Sequence, residues 1–238
     1  MDAEGRIIAA SHGKRAILRQ EHDGHWVVLA DSWQGKRLNS PNDEVVAPDG
    51  AIWFSDPTFG VLNKKESYGG TPEQGGEYIY RYDPTSKILK RMNAPEVHSP
   101  NGLAFSPDGK CFYVADSEQA HDFSNPALAK RIIAYRVSNN TLQDGQTFAE
   151  ITAGIPDGIK VDEKGNVWSS YKEGVRIYSA EGTPPGKILI PSTVTGNLAL
   201  CTDKSNHQWL YVTAAHLVMR MPVLVNNAST LQNFAASR

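Results

Sequence analysis

Apolar and polar residues alternate along this chain in runs of four to six, and nearly every run ends in Gly, Pro, Asn or Asp. That period of two, punctuated by turn formers, predicts short half-buried strands joined by tight turns. No segment carries the 3.6-residue spacing of a long amphipathic helix; a single helical turn is expected at most, inside the loop from Pro126 to Lys130.

The strands recur as a phrase. Pro41-Asn42-Asp43-Glu44-Val45-Val46-Ala47-Pro48-Asp49-Gly50 runs into Ala51-Ile52-Trp53-Phe54-Ser55-Asp56. Pro100-Asn101-Gly102-Leu103-Ala104-Phe105-Ser106-Pro107-Asp108-Gly109 runs in the same way into Cys111-Phe112-Tyr113-Val114-Ala115-Asp116. Pro156-Asp157-Gly158-Ile159-Lys160-Val161 leads through Gly165 into Val167-Trp168-Ser169-Ser170, and a weaker copy begins at Gly196-Asn197. Each copy is a polar opener, an alternating strand, a turn and a second strand rich in aromatic and β-branched residues, which is a β-hairpin signature. Outer strands follow each hairpin, for example 78–82 and 88–91, 131–136 and 147–150, and 174–178 and 187–190. Near the start, 2–10 match only the turn and second strand, with 15–19 and 26–30 as third and fourth strands.

Four antiparallel strands repeated at intervals of 59, 56 and 40 residues fit the blades of a β-propeller. The expected fold is therefore all-β, one propeller domain spanning 1–238. Composition agrees with a globular chain: 238 residues, 40% hydrophobic and 21% charged. Lys+Arg 24 against Asp+Glu 26 leaves no basic stripe for nucleic acid, and no apolar run approaches the roughly 20 residues of a membrane span. Cys111 and Cys201 lie 90 residues apart in apolar runs and are expected to be buried, inert thiols. The first residues contain no basic region followed by an apolar core, so the chain as written is expected in the cytoplasm, or in the periplasm if a leader precedes it.

Propeller geometry points to the chemistry. The first strand of each blade lines the central channel, so Asn42, Asn101, Asp157 and Asn197 are expected in one ring at one end of it. Amide and carboxylate oxygens are hard ligands, suited to calcium or magnesium. Asn and Asp also cap turns, but Asn42, Asn101 and Asp157 each stand eight residues before a turn glycine, Gly50, Gly109 and Gly165. A shared register favours a shared role. His12 and His98 are read as strand-end residues, while Asp56 and Asp116, closing their second strands, suit a sheet-end role as well as a chemical one.

These motifs resemble the gluconolactonase, regucalcin and luciferin-regenerating-enzyme family of six-bladed propellers. Arg37-Leu38-Asn39-Ser40-Pro41-Asn42-Asp43 with Trp53-Phe54-Ser55-Asp56-Pro57, Ser99-Pro100-Asn101-Gly102-Leu103-Ala104 and Ile155-Pro156-Asp157-Gly158 carry the likeness, which spans the chain. The resemblance implies a hydrolase of sugar lactones with one divalent metal, calcium first and Mg2+, Mn2+ or Zn2+ as alternatives. It implies Asn101 and Asp157 as metal ligands, with Asn42 as a ligand or substrate contact. Arg37 would meet the substrate's oxygens with its donor fork. The metal would polarise the lactone carbonyl and Asp157, the one carboxylate of the ring, would take the proton of attacking water.

The family's further ligand, a Glu in a Glu-Gly-Pro phrase of the first blade, has no counterpart here. Counting eight residues back from Gly5 passes residue 1, which predicts about four and a half blades of six and a chain truncated at its N-terminus relative to the family. Such a chain is expected to bind calcium weakly and to associate through uncovered sheet faces, with its oligomeric state left open. Two alternatives to the lactonase therefore stay open: a non-catalytic remnant that binds metal or a sugar-like ligand, and a phosphotriesterase-like hydrolase.

Overall fold

The computed structural model describes residues 1–63, 67–192 and 194–228, which fall into two compact units, 1–101 and 102–228. In the first unit, β1 (Ile8–Ser11), β2 (Ala16–Gln20) and β3 (Trp26–Ala30) form a three-stranded antiparallel sheet. A two-stranded ribbon of β4 (Ser32–Trp33) and β5 (Lys36–Arg37) follows. Then β6 (Glu44–Val46), β7 (Ile52–Asp56), β8 (Tyr78–Asp83) and β9 (Ile88–Arg91) make a four-stranded sheet in sequential order. One helical turn, α1 (Phe59–Leu62), leaves the end of β7.

The second unit continues the pattern with three sheets. β10 (Pro100–Phe105), whose first two residues are counted with the first unit, pairs onward with β11 (Cys111–Asp116), β12 (Arg131–Ser138) and β13 (Thr141–Glu150). β14 (Ile159–Val161), β15 (Val167–Tyr171), β16 (Gly174–Tyr178) and β17 (Gly186–Leu189) form the next sheet, and β18 (Asn197–Thr202), β19 (Gln208–Ala214) and β20 (Leu217–Pro222) the last. These are antiparallel meanders of the propeller-blade type, and the expected all-β class and strand order hold.

One turn chemistry explains the repeat. In the first copy Asp2 N–H donates to Arg6 O and Gly5 N–H to Asp2 O; the pattern returns as Ala47 to Ala51 with Gly50, and as Asp162 to Asn166 with Gly165. Each closing glycine has a positive φ, between 79° and 85°, where a Cβ would be strained. In the last copy Asn206 occupies that place with φ 63°, a role Asn tolerates. A carboxylate braces the two later turns: Trp168 Nε1 donates to Asp162 Oδ2 at 3.0 Å, and Trp209 Nε1 to Asp203 Oδ2 at 2.9 Å.

Packing follows strand position. β7, β10 and β15 are buried along their whole length, whereas the outermost β9, β17 and β20 are largely exposed. Neighbouring sheets stack face to face within each unit. Ile8, Ile17 and Leu38 meet Val46, Phe54 and Tyr80 in the first; Ala115, Ile132 and Ala149 meet Ile159, Val167 and Tyr178 in the second. Trp168, Val175 and Ile190 meet Leu198, Leu210 and Val212. A buried side chain of this size contributes about 1.5–3 kcal/mol, so the sheets are held by facing side chains more than by their few ladder bonds.

Two expectations fail. The segment 126–130 is a non-helical turn; the short helices are instead α1 and a 3-10 turn at Glu118–Ala120, both placed directly after a second strand. Cys201 is exposed and Cys111, though packed against the core of the second unit, is only partly buried; both stand near the turn end of their hairpins.

Candidate functional site

In the first unit, Asn42 stands before β6, fixed by its N–H to Ser55 O at 3.0 Å. Its side chain is half-buried, and its amide Nδ2 lies 3.4 Å from His12 Nε2, within hydrogen-bond reach. His12 rests directly on the backbone of α1: a Cβ built on Gly60 would fall 2.7 Å from His12 Cγ and 2.7 Å from Ser40 Cβ.

The loop leading to Asn42 hangs on Asp56. This carboxylate is 0% exposed and accepts the N–H groups of Asn39 (Oδ2, 2.8 Å) and Ser40 (Oδ1, 2.8 Å). Asn39 Nδ2 in turn donates to the Asp56 and Gly76 carbonyls, and Ser40 Oγ to Pro57 O. Burial pushes the Asp56 carboxyl up to about 7, against the lowering pull of the two amides and Arg15. Arg15 is itself buried, donates through Nε to Leu38 O at 2.7 Å, and is pushed down by that burial.

Glu77 accepts hydrogen bonds from Thr58 N–H at 3.0 Å, from Thr58 Oγ1 and from Ser99 Oγ, tying the end of β7 to the segment that precedes Asn101. Asn101 is buried, 4% exposed, within β10. Arg37 lies on β5 with an exposed side chain; its N–H donates to Glu73 Oε2 and its carbonyl accepts from Gln74 Nε2, each at 2.9 Å.

In the second unit the strand openers lock to one another through the backbone. Asp157 N–H donates to Ser170 O and Asp157 O accepts from Gly102 N–H, both at 3.1 Å. Gly158 N–H is shared by Gly196 O at 3.0 Å and Ser170 Oγ at 2.8 Å, and that hydroxyl itself donates to Gly196 O. The approach is too close for any side chain: a Cβ on Gly102 would lie 2.1 Å from Asp157 O, and one on Gly158 would lie 2.1 Å from Asn197 Oδ1. Asp157 is half-buried, its Oδ2 3.9 Å from where a Gly196 Cβ would stand. Asn197 opens β18, and its Oδ1 accepts the Leu198 N–H at 2.8 Å with one lone pair left over.

The pairing of His12 with Asn42, the Asp56 clamp and the Glu77 clamp were missed from sequence. A signal existed for the second of these. Polar residues recur at or next to the ends of the second strands, and the structure uses them to hold the segments that open first strands: Asp56 holds Asn39 and Ser40, Ser117 Oγ donates to Pro156 O at 2.5 Å, and Ser170 holds Gly158.

As donors, Asn42, Asn101 and Asp157 offer two amide oxygens and one carboxylate, a set that fits a hard divalent cation. Among the described residues no group of three or more His, Cys, Asp and Glu side chains gathers, so the His- and Cys-rich donor set favoured by zinc is not built there.

The family model for the SMP-30/gluconolactonase/LRE-like region matches residues 1–216. The chain belongs to this family. It is 31% identical over 228 residues to a gluconolactonase of Zymomonas mobilis, covering 92% of this chain and 60% of that protein. It therefore spans less than two thirds of that relative's length. A solved gluconolactonase from Xanthomonas campestris is 36% identical, with a TM-score of 0.82 over 94% of this chain and 70% of that one. A calcium-binding protein, regucalcin, from Agrobacterium tumefaciens shares the fold at 19% identity, with a TM-score of 0.69 over 94% of this chain and 74% of that one. Among the described residues no helix is long and apolar enough to cross a membrane.

Proposed function

We propose that this member of the family hydrolyses sugar lactones, with Asp157 as general base. One observation carries the reading: a gluconolactonase with 36% identity matches the fold over 94% of the chain. The local geometry supports the choice of Asp157. Asp157 stands two residues before β14, and its main chain is bonded on both sides, to Ser170 of β15 and Gly102 of β10, so the segment that carries its half-buried carboxylate is pinned to two strands. In this reading the carboxylate accepts the proton of a water attacking the lactone carbonyl and later returns it to the ring oxygen as the ester bond opens.

Asn42, Asn101 and Asp157 would hold a hard cation, calcium foremost; the ground for grouping them is their common register before Gly50, Gly109 and Gly165. Such an ion would supply Lewis acidity to the lactone carbonyl. Arg37, exposed on β5, would donate to substrate hydroxyls.

The test is Asp157→Asn, which keeps shape and removes basicity. We expect lactone opening, followed by acid release in weakly buffered solution, to fall by about two to four orders of magnitude, the range general-base catalysis contributes, with an unchanged circular dichroism spectrum. Retained turnover in this variant would remove Asp157 from the role.

A further inference from the structure

Beside Asn42 lies an open depression of about 770 Å³ lined by Ala10, Ser11, His12, Lys14, Asn42 and Tyr68. Its lining comes from the end of β1 and the turn after it, from Asn42 before β6 and from Tyr68. Three of its features bear on what it could hold. Tyr68 is 75% exposed although its ring is large and apolar, and the ring rests beside Gly13, where a Cβ would stand 3.2 Å from its Cδ1 and Cε1 atoms. Lys14 is exposed, lines the same opening and forms no ion pair among the described residues. His12 and Asn42 present a coupled pair of polar groups at the inner wall.

The walls are also fixed in place. Tyr68 N–H donates to Gly60 O at 2.9 Å, and the His12 ring is seated on Gly60 with no room for a methyl group between them. An exposed, anchored aromatic ring offers a surface to the C–H face of a sugar-like ring while its rim stays wet. Neighbouring amide and imidazole groups suit hydroxyls, and an exposed lysine without an ion pair among the described residues suits a carboxylate or phosphate.

We propose that this depression is a substrate subsite: Tyr68 stacks on the carbon face of a polyhydroxylated lactone, His12 and Asn42 meet its hydroxyls, and Lys14 selects substrates with an anionic substituent remote from the reacting carbonyl. The inference deepens the lactonase reading and rests on it for the word substrate.

The test combines binding and turnover in the full chain. D-gluconate and D-glucarate, open-chain acids that differ by a second carboxylate, are titrated by calorimetry into wild type and variants, and glucono-1,5-lactone and glucaro-1,4-lactone are compared as substrates. Tyr68→Ala should weaken binding of both acids about two- to tenfold, the worth of one aromatic contact, whereas Tyr68→Phe should bind as wild type does. Lys14→Gln should weaken D-glucarate about two- to fivefold more than D-gluconate, as expected for an exposed ion pair, and raise KM for the glucarolactone more than for the gluconolactone. Lys110→Gln, an exposed lysine on the turn before β11, serves as the control. Equal effects of Lys14→Gln and Lys110→Gln, full binding by Tyr68→Ala, or a wild type that binds neither acid would overturn the subsite. A wild type that binds both acids and opens neither lactone would leave the subsite standing and overturn the lactonase reading.

Discussion

Replacing Asp56 by Asn removes a charge from the buried layer of the first unit while keeping the shape of the side chain, and the sign of its effect depends on pH. In the folded protein burial raises this carboxyl from 3.8 to about 7. The neutral form is thus favoured by folding, so the stability Asp56 contributes is complete below the unfolded value, 3.8, and is lost as pH rises through about 7. At about 1.4 kcal/mol per pH unit, that difference amounts to about 4 kcal/mol. The Asn variant cannot lose it, having no proton to lose. It suffers instead at every pH, because its Nδ2 faces one of the N–H groups of Asn39 and Ser40 that an oxygen now accepts, stranding a buried donor at a cost of about 1–3 kcal/mol. Asp56→Asn should therefore be the less stable protein near pH 4 and match or exceed wild type near pH 8. Urea unfolding followed by tryptophan fluorescence at both pH values measures the difference, and groups common to both proteins cancel in it. A deficit that stays constant, or widens with pH, would show that the two amides hold an ionised Asp56 better than a neutral one, and would refute the argument.

Further expectations follow from other contacts. Gly102→Ala puts a methyl group 2.1 Å from the Asp157 carbonyl, which is backbone and cannot swing aside, so a loss of about 3 kcal/mol or more is expected in the same unfolding assay; a loss below about 1 kcal/mol would mean that the strand openers are loosely packed. Cys201, exposed, should react with a disulfide reagent well before Cys111, whose thiol is pushed up by burial; equal rates would contradict that difference. Arg37→Ala should raise KM for hydroxylated lactones more than for unsubstituted ones by about two- to tenfold, from the loss of one or two donors, and a uniform effect on both would make Arg37 structural.

The blade pattern was legible because the turn chemistry is local. Gly5, Gly50 and Gly165 each close the same hydrogen-bonded turn, and a local rule repeats visibly in sequence. Even the partial first copy, with its third and fourth strands at 15–19 and 26–30, appears as β2 and β3 within a residue. The positions of Asn42, Asn101 and Asp157 were legible as a register, for the same reason. What escaped were groups whose role depends on residues distant in sequence. Asp56 reaches back 17 residues to Asn39, and His12 meets Asn42 across 30. The two cysteines misled because an alternating run assigns a residue to a face without saying whether that face is covered.

The glycine-tight backbone junctions of the second unit bear on how the protein can be re-engineered. At Gly102 and Gly158 main chain meets neighbouring residues with no volume to spare, so the frame that carries Asp157 is closed to trial and error: nearly any side chain there breaks the frame before it can alter chemistry. Lys14 and Tyr68 are the reverse, exposed side chains on a backbone held by bonds such as Tyr68 N–H to Gly60 O. Mutational libraries confined to positions 14 and 68 would explore new substrate preferences at little cost in folded yield, whereas the same number of random changes spread over the strand openers would mostly return unfolded chains.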